Sequence, residues 1–298
     1  MPVMMPARSR RGVGLLEVII ALPLISLLGA VAVLLLVHVH RRVLETDGTL
    51  AASRELRHAA AALTAEWRGL RARDIVAWSD SAVEFDATVG VGMVCALSTP
   101  TQLDIVAAAN DDALSVVWNQ SPQDGDRVLA WHAGRAPDAA PEPMEGTLRT
   151  TGASTSCSGS PLTAPVAATA TRITLSDTLG WRTQPGSPVR ITRRTRYSIY
   201  RASDGDWYLG RRTRGATGWD VVQPVAGPLL SFAQRGLRFT ARDRADAPLS
   251  PTDSVERIAR LNVALRAPRK TGRAAAAGLS ADSLQVGVAL RGNRSGAP

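Results

Sequence analysis

The chain offers few residues whose types and spacing could do chemistry. Among its 298 residues are two cysteines, Cys95 and Cys157, and four histidines. Two cysteines exclude a four-cysteine zinc site and a disulfide-dense scaffold, and four scattered histidines exclude a His-rich metal centre. His38 and His40 stand two apart, so on a helix they point away from each other and cannot share a metal. His58 and His132 are isolated and read as solvated or hydrogen-bonded surface residues. Asn110-Asp111-Asp112 and Asp124-Gly125-Asp126 could supply oxygen ligands to calcium. No bidentate Glu lies at EF-hand spacing, however, and the turn reading is the stronger. No nucleophile elbow, phosphate-binding Gly-rich loop or H-E-x-x-H pair occurs. The expectation is a protein with no catalytic activity, no metal and no cofactor.

The residues that stand out are charged. Glu17 sits at the mouth of a long apolar run, where a carboxylate is costly and normally has a partner. Arg193, Arg194 and Arg196, with Arg211, Arg212 and Arg214, fall on two neighbouring strand-like segments and make a candidate basic surface. Such a surface suits DNA phosphates or anionic headgroups. The plainer reading, which we favour, is a solvated hairpin face or pairing with acids on adjacent subunits, since no aromatic ladder interleaves these arginines.

Composition sets the frame for both features. The chain is 45% hydrophobic, 20% charged and 4% aromatic, with 35 basic against 26 acidic residues and a net charge of +9. Lys270 is the only lysine, so nearly all the positive charge is arginine. This is too apolar and too mixed for intrinsic disorder, and long enough for one large domain or two modest ones with a real core.

The elements that must position these residues follow from periodicity. Residues 1–12 carry Arg8, Arg10 and Arg11 and no acid. From Val18 to Val37, seventeen of twenty residues are apolar, broken only by Pro23, Ser26 and Gly29. Twenty helical residues span ~30 Å, the thickness of a bilayer core. The run is too long for a secretory signal and ends in His38-Val39-His40-Arg41-Arg42 rather than in a small-residue cleavage site. Beyond it, Leu56, Ala60, Leu63, Trp67 and Leu70 recur on one helical face, a core-facing stripe. Helix is expected over about 14–73, with Gly48 as a point of interruption.

After residue 80 the period becomes two. Val83 and Phe85, Leu237 and Phe239, Leu261 to Leu265, and Leu284 to Leu290 alternate with polar or small residues, and 114–118, 128–131 and 197–200 read as further strands. Asp124-Gly125-Asp126 and Asp204-Gly205 are hairpin signals. Residues 133–165 and 267–280 are rich in small residues and read as a loop insertion and a connection. The fold class is therefore α+β, a long N-terminal helix and a mostly antiparallel sheet.

Arg10-Arg11-Gly12 followed by Val13-Gly14-Leu15-Leu16-Glu17 resembles the prepilin signal of type IV pilins and type II secretion pseudopilins. The resemblance implies peptidase cleavage between Gly12 and Val13 and N-methylation of Val13. It also implies pairing of Glu17 with the N-terminal amine of a neighbouring subunit during filament assembly. A buried carboxylate and a buried ammonium are each expensive alone and tolerable together. The chain departs from the family at Val13 and Gly14, where Phe and then Thr or Ser are usual. Residues 196–201, 207–212, 225–229 and 236–239 are loosely similar to the body strands of J-type minor pseudopilins and W-type minor pilins.

On this resemblance the chain is organised as a leader (1–12), a transmembrane and assembly helix (13–42), its periplasmic continuation (43–75) and a β-rich domain (76–298). It implies a pilin-like fold and a non-catalytic minor subunit at the filament tip, priming assembly. The partners implied are other pilins or pseudopilins, prepilin peptidase, the inner-membrane assembly platform and membrane lipid. The location implied is the bacterial inner membrane, N-terminus cytoplasmic and body periplasmic. Two alternatives stand beside it: a DNA-capturing minor pilin, with nucleic acid the less favoured partner, and an uncleaved, anchored periplasmic protein. With the body on the oxidising side, Cys95 and Cys157 are expected to form a disulfide.

Overall fold

The structure is a computed structural model that describes residues 14–106, 117–131, 143–154, 157, 170–178, 183–268 and 281–291, leaving out the side chains of residues 45, 48 and 49. The leader, with Gly12 and Val13, lies outside the described residues, as do His132 and Asn110-Asp111-Asp112. The chain divides into two units, residues 1–52 with 269–280 and residues 53–268 with 281–298.

The first unit is helical where it is described. Helix α1 (Leu15–Trp67) begins here and carries the apolar run, with Pro23 inside it. Proline cannot donate the intrahelical bond, and Ser26 Oγ donates locally to the Pro23 carbonyl at 2.8 Å. Gly48 does not interrupt the helix: one glycine costs only about 1 kcal/mol relative to alanine, and the ladder runs on through it.

Among the described residues, the second unit holds the rest of α1 and fifteen strands. On α1 from residue 53 onward, Leu56, Ala59, Ala60, Leu63 and Trp67 are buried, which is the stripe expected from the sequence, and Leu70 just past the helix is buried too. The helix ends at Trp67, and a short 3₁₀ turn, Ala72–Asp74, leads into the sheet.

Eleven strands form one sheet: β1 (Ile75–Trp78), β2 (Ala82–Thr99), β3 (Gln102–Val106), β4 (Val117–Trp118), β5 (Arg127–Trp131), β6 (Pro143–Ser154), β7 (Ala170–Leu175), β8 (Pro188–Arg201), β9 (Trp207–Gly215), β10 (Gly218–Trp219) and β11 (Gln223–Leu229). The path runs β1-β2-β3-β7-β6-β5-β8-β9-β10, with β4 on β2 and β11 on β9, and β2 also pairs with β8. That extra pairing closes β2, β3, β7, β6, β5 and β8 into a ring. The 18-residue β2 makes closure possible by pairing with β8 over residues 82–93 and with β3 over residues 94–99. Val89, Val94, Leu103, Ile105, Val128 and Leu148 are among the side chains that fill a core shared by these strands.

A second, four-stranded sheet contains β12 (Leu237–Arg242), β13 (Pro248–Leu249), β14 (Arg260–Pro268) and β15 (Ala281–Ala289), in the order β13-β12-β14-β15. Leu237, Phe239 and Ala241 lie opposite Leu265, Val263 and Leu261, and all six are buried. The Phe239 ring meets Trp67 of α1 at 5.8 Å between centroids. All pairings in both sheets are antiparallel.

Two expectations need correction. Residues 133–165 are not all loop: 143–154 form β6, which is in register with both β5 and β7. Its Gly, Thr, Ser and Ala residues read as loop by composition, yet they lie between two strands that supply the packing. Asp124-Gly125 is a turn but not a hairpin turn, because β4 before it pairs with β2 and β5 after it pairs with β6 and β8. Asp204-Gly205 does join a hairpin, β8 to β9.

Candidate functional site

The first candidate feature is the apolar half of α1. Leu15–Leu44 is a 30-residue stretch long and apolar enough to cross a membrane, and an 18-residue window in it has a mean hydropathy of 2.9 with none of it buried. Leu15, Leu34 and Leu36 are each about 70–80% exposed. Apolar side chains exposed on every side suit a lipid surround rather than water. Glu17 lies in the first turn of this helix, where a carboxylate favours the positive end of the helix dipole. Its backbone N–H donates to the Gly14 carbonyl at 3.0 Å.

The two cysteines form a disulfide. Cys95 on β2 and Cys157 are bonded, with Cα atoms 5.4 Å apart and a sequence separation of 62. Both are buried, beside Val106 and Ala170. Among the described residues the cover of Cys157 comes from β3 and β7. Closing a loop of this length is worth about 4 kcal/mol on the chain-entropy model.

The arginines expected to form a basic surface are divided by register between two faces, because residues directly opposite across antiparallel strands share a face. Arg194, Arg196 and Arg212 line up with Glu84 and Asp86, whereas Arg193 and Arg211 share the other face with Phe85 and Tyr197. Three of the six are held by carboxylates of the same chain. Arg193 Nε and Nη2 donate to the two oxygens of Asp126 at 2.7 and 2.8 Å, and Nη2 also reaches the Ser121 carbonyl. Arg194 Nε donates to Asp86 at 2.9 Å, with Glu84 at 3.5 Å. Arg127 bridges Asp86, at 3.0 Å, and Glu145. Arg211 Nε donates to Glu66 at 3.1 Å. Arg212 lies over the Trp219 ring, 4.9 Å from its centroid. Of the six, Arg214 is the one that is exposed.

Arg193, Arg194 and Arg211 are thus internal clamps on acids of this chain, whereas Arg196, Arg212 and Arg214 make no ion pair among the described residues. Sequence reasoning missed two further clamps. Arg190 donates to Asp74 at 2.9 and 3.0 Å, and Arg172 donates to the fully buried Asp104 at 2.9 Å. No local signal marked them: Asp104 alternates with the core residues Leu103 and Ile105 and so reads as outward-facing, and Asp74 lies in the 3₁₀ turn. A buried carboxylate survives only with a cation and donors around it.

Titration follows the same geometry. Burial pushes the Glu66 carboxyl above its ordinary range, opposed by Arg211 and then by Tyr197. Burial and the neighbouring Glu66 push the Tyr197 phenol up as well. Among the described residues no group of three or more His, Cys, Asp or Glu is placed to hold a metal.

A cavity of about 220 Å³ opens beside β9, lined by Gln123, Arg193, Arg211, Arg212, Thr213, Asp220, Val221 and Gln223. Two glycines shape its surroundings. Gly125, at φ +89°, lets its turn close on Ala216, whose backbone a Cβ would meet at 2.5 Å. A Cβ on Gly210 would stand 2.4 Å from the Val222 side chain, so glycine lets β11 and its approach lie against β9.

No family model, no curated protein and no solved structure matches the chain.

Proposed function

We propose that the chain is a minor pilin or pseudopilin, a non-catalytic filament subunit held in the inner membrane by the first half of α1. The observation that carries this reading is Glu17, a carboxylate in the first turn of a 30-residue apolar helix. A plain membrane anchor has no use for it. An assembling subunit does, because the carboxylate can receive the new N-terminal amine of a neighbour as both leave water. The prepilin-like segment Arg10-Arg11-Gly12-Val13 supports the reading, as do an α+β body and a disulfide suited to an oxidising compartment. The DNA-capturing alternative is weakened, since three of the six arginines it needs are committed to carboxylates of the same chain.

The test is the mature N-terminus of protein extracted from membranes. A start at Val13 is expected, and an intact Met1 start would overturn the reading. Glu17→Ala supplies the second arm. That variant should fold, keep its disulfide and stay in the membrane, yet be absent from sheared filaments. Assembly at the wild-type level would remove the proposed role of Glu17.

A further inference from the structure

We infer that β15 is an open sheet edge that accepts an extended, acidic segment of a partner protein as a fifth strand of the smaller sheet. This does not depend on the filament reading, because every residue involved belongs to that sheet.

β15 ends the order β13-β12-β14-β15 and pairs on one side, with β14, without a shift in register. Two bonds fix which backbone groups are left over. Leu290 N–H donates to the Ala259 carbonyl at 2.9 Å, and Arg266 N–H donates away from β15, to the Gly236 carbonyl at 2.8 Å. In an antiparallel ladder the N–H and C=O of a residue point to the same side, and that side alternates along the strand. The backbone groups of Leu284, Val286 and Val288 therefore face β14, whereas those of Ser283, Gln285, Gly287 and Ala289 face outward. Among the described residues these four have no strand on their outer side. Sheets commonly guard such an edge with proline, lysine or a bulge. β15 has none of these, and its one charged residue, Asp282, stands near its start.

The register also selects the charge of the occupant. Ser283, Gln285, Gly287 and Ala289 are exposed, and opposite them on the same face lie Arg266, Ala264, Asn262 and Arg260. One strand further, β12 adds Arg238 and Arg242. The strand positions of this face thus hold arginines and no acid. Arg266 is exposed, gives one N–H to the Gln234 carbonyl at 3.1 Å and has no acid within ion-pair distance among the described residues. Arg260 shares the exposed Asp246 with Arg242, at 3.4 Å. A Cβ on Gly287 would meet Asn262 Oδ1 at 2.3 Å and Arg260 Cδ at 3.5 Å, so both side chains lie over β15, toward the edge. Neighbouring strands are about 4.8 Å apart, which puts an added strand about 10 Å from β14. Arginine on β14 and glutamate on the added strand together span that gap across the small side chains of Ser283 and Ala289. A second copy of β15 would bring only Ala, Ser, Gln and Gly to this face and no acid, so an acidic segment is the better match.

The experiment uses full-length protein in detergent micelles and a capped, dye-labelled peptide, Val-Glu-Val-Thr-Val-Thr-Val-Glu-Val, followed by fluorescence anisotropy. Its glutamates are spaced to stand opposite Ser283 and Ala289, and it reads the same in both directions, so it fits a parallel or an antiparallel addition. Saturable binding is expected, about five-fold weaker with lysine at both glutamate positions or in Arg260→Gln with Arg266→Gln. Two further peptides carry N-methyl groups on one or the other alternate set of amides. The set that faces β15 should lose about ten-fold, and the set that faces solvent should bind like the parent peptide. Gln285→Pro removes one outward N–H, at an edge where proline is tolerated, and should weaken binding about five-fold. The methylated pair decides the matter if that variant does not fold. No saturable binding overturns the proposal, and so does equal binding of the two methylated peptides, which would mean charge attraction without strand pairing. Sedimentation of the parent as a dimer that Gln285→Pro returns to monomer would also overturn it, by giving the edge to a second copy.

Discussion

The two sheets of the body are held together by different means. The ring of the larger sheet is stitched by Arg193–Asp126, Arg190–Asp74, Arg172–Asp104 and Arg194–Asp86, whose carboxylates are all buried, and by the Cys95–Cys157 bridge. The smaller sheet carries its ion pairs on exposed turns, where Arg242 and Arg260 meet Asp246, itself 62% exposed. Its interior is a ladder of Leu, Val and Phe closed by Trp67. Apolar ladders gain about 1.5–3 kcal/mol for each large side chain buried and tolerate substitutions of similar volume. Buried ion pairs add little net stability, but removing one partner is severe. The large sheet is therefore the more brittle of the two, although it contains more strands.

That contrast can be broken, and the largest effect is expected in the ring. Asp126→Ala leaves Arg193 buried and unpaired and should cost about 3–5 kcal/mol in urea unfolding followed by tryptophan fluorescence. Replacing both partners, Arg193→Met with Asp126→Leu, should restore most of the loss. A double variant as unstable as the single one would mean that the clamp contributes bulk stability after all. In the smaller sheet, Val263→Ala should cost about 2 kcal/mol, and a loss matching that of Asp126→Ala would erase the distinction.

The smallest effect concerns pH. Because the Glu66 carboxyl is raised in the folded state, the folded protein holds that proton more tightly than the unfolded chain. The stability it contributes is complete below the ordinary carboxylate value of 4.5 and is lost as pH rises through the raised one. Glu66→Gln cannot titrate, so its stability relative to the parent should improve as pH rises above 4.5. An unchanging difference would show that Arg211 fully offsets the burial.

What the sequence disclosed tracks how local the physics is. The α1 stripe and the alternation of β12, β14 and β15 are written within a few residues, and both are present in the structure. Strand β6 was hidden because its residues have weak strand preference, and it is a strand by virtue of β5 and β7. The arginines were misread because charge alone does not reveal partners. Arg190 finds Asp74 across 116 residues, and Arg193 finds Asp126 across 67. The disulfide was legible only because two cysteines allow one intramolecular pairing.

The double allegiance of β2 bears on how the body must come into being. Asp86 and Arg194 are 108 residues apart, so whichever order the chain emerges in, the first half of β2 is made long before its neighbour β8. Contacts that span so much chain are slow to form, because loop closure precedes any reward. In the interval β2 shows an unsatisfied edge of alternating Val, Phe and Ala, the kind of edge that other chains pair with. The ring thus makes chaperoning, or crowding at the point of emergence, a determinant of yield that the finished molecule, with that edge sealed, no longer displays.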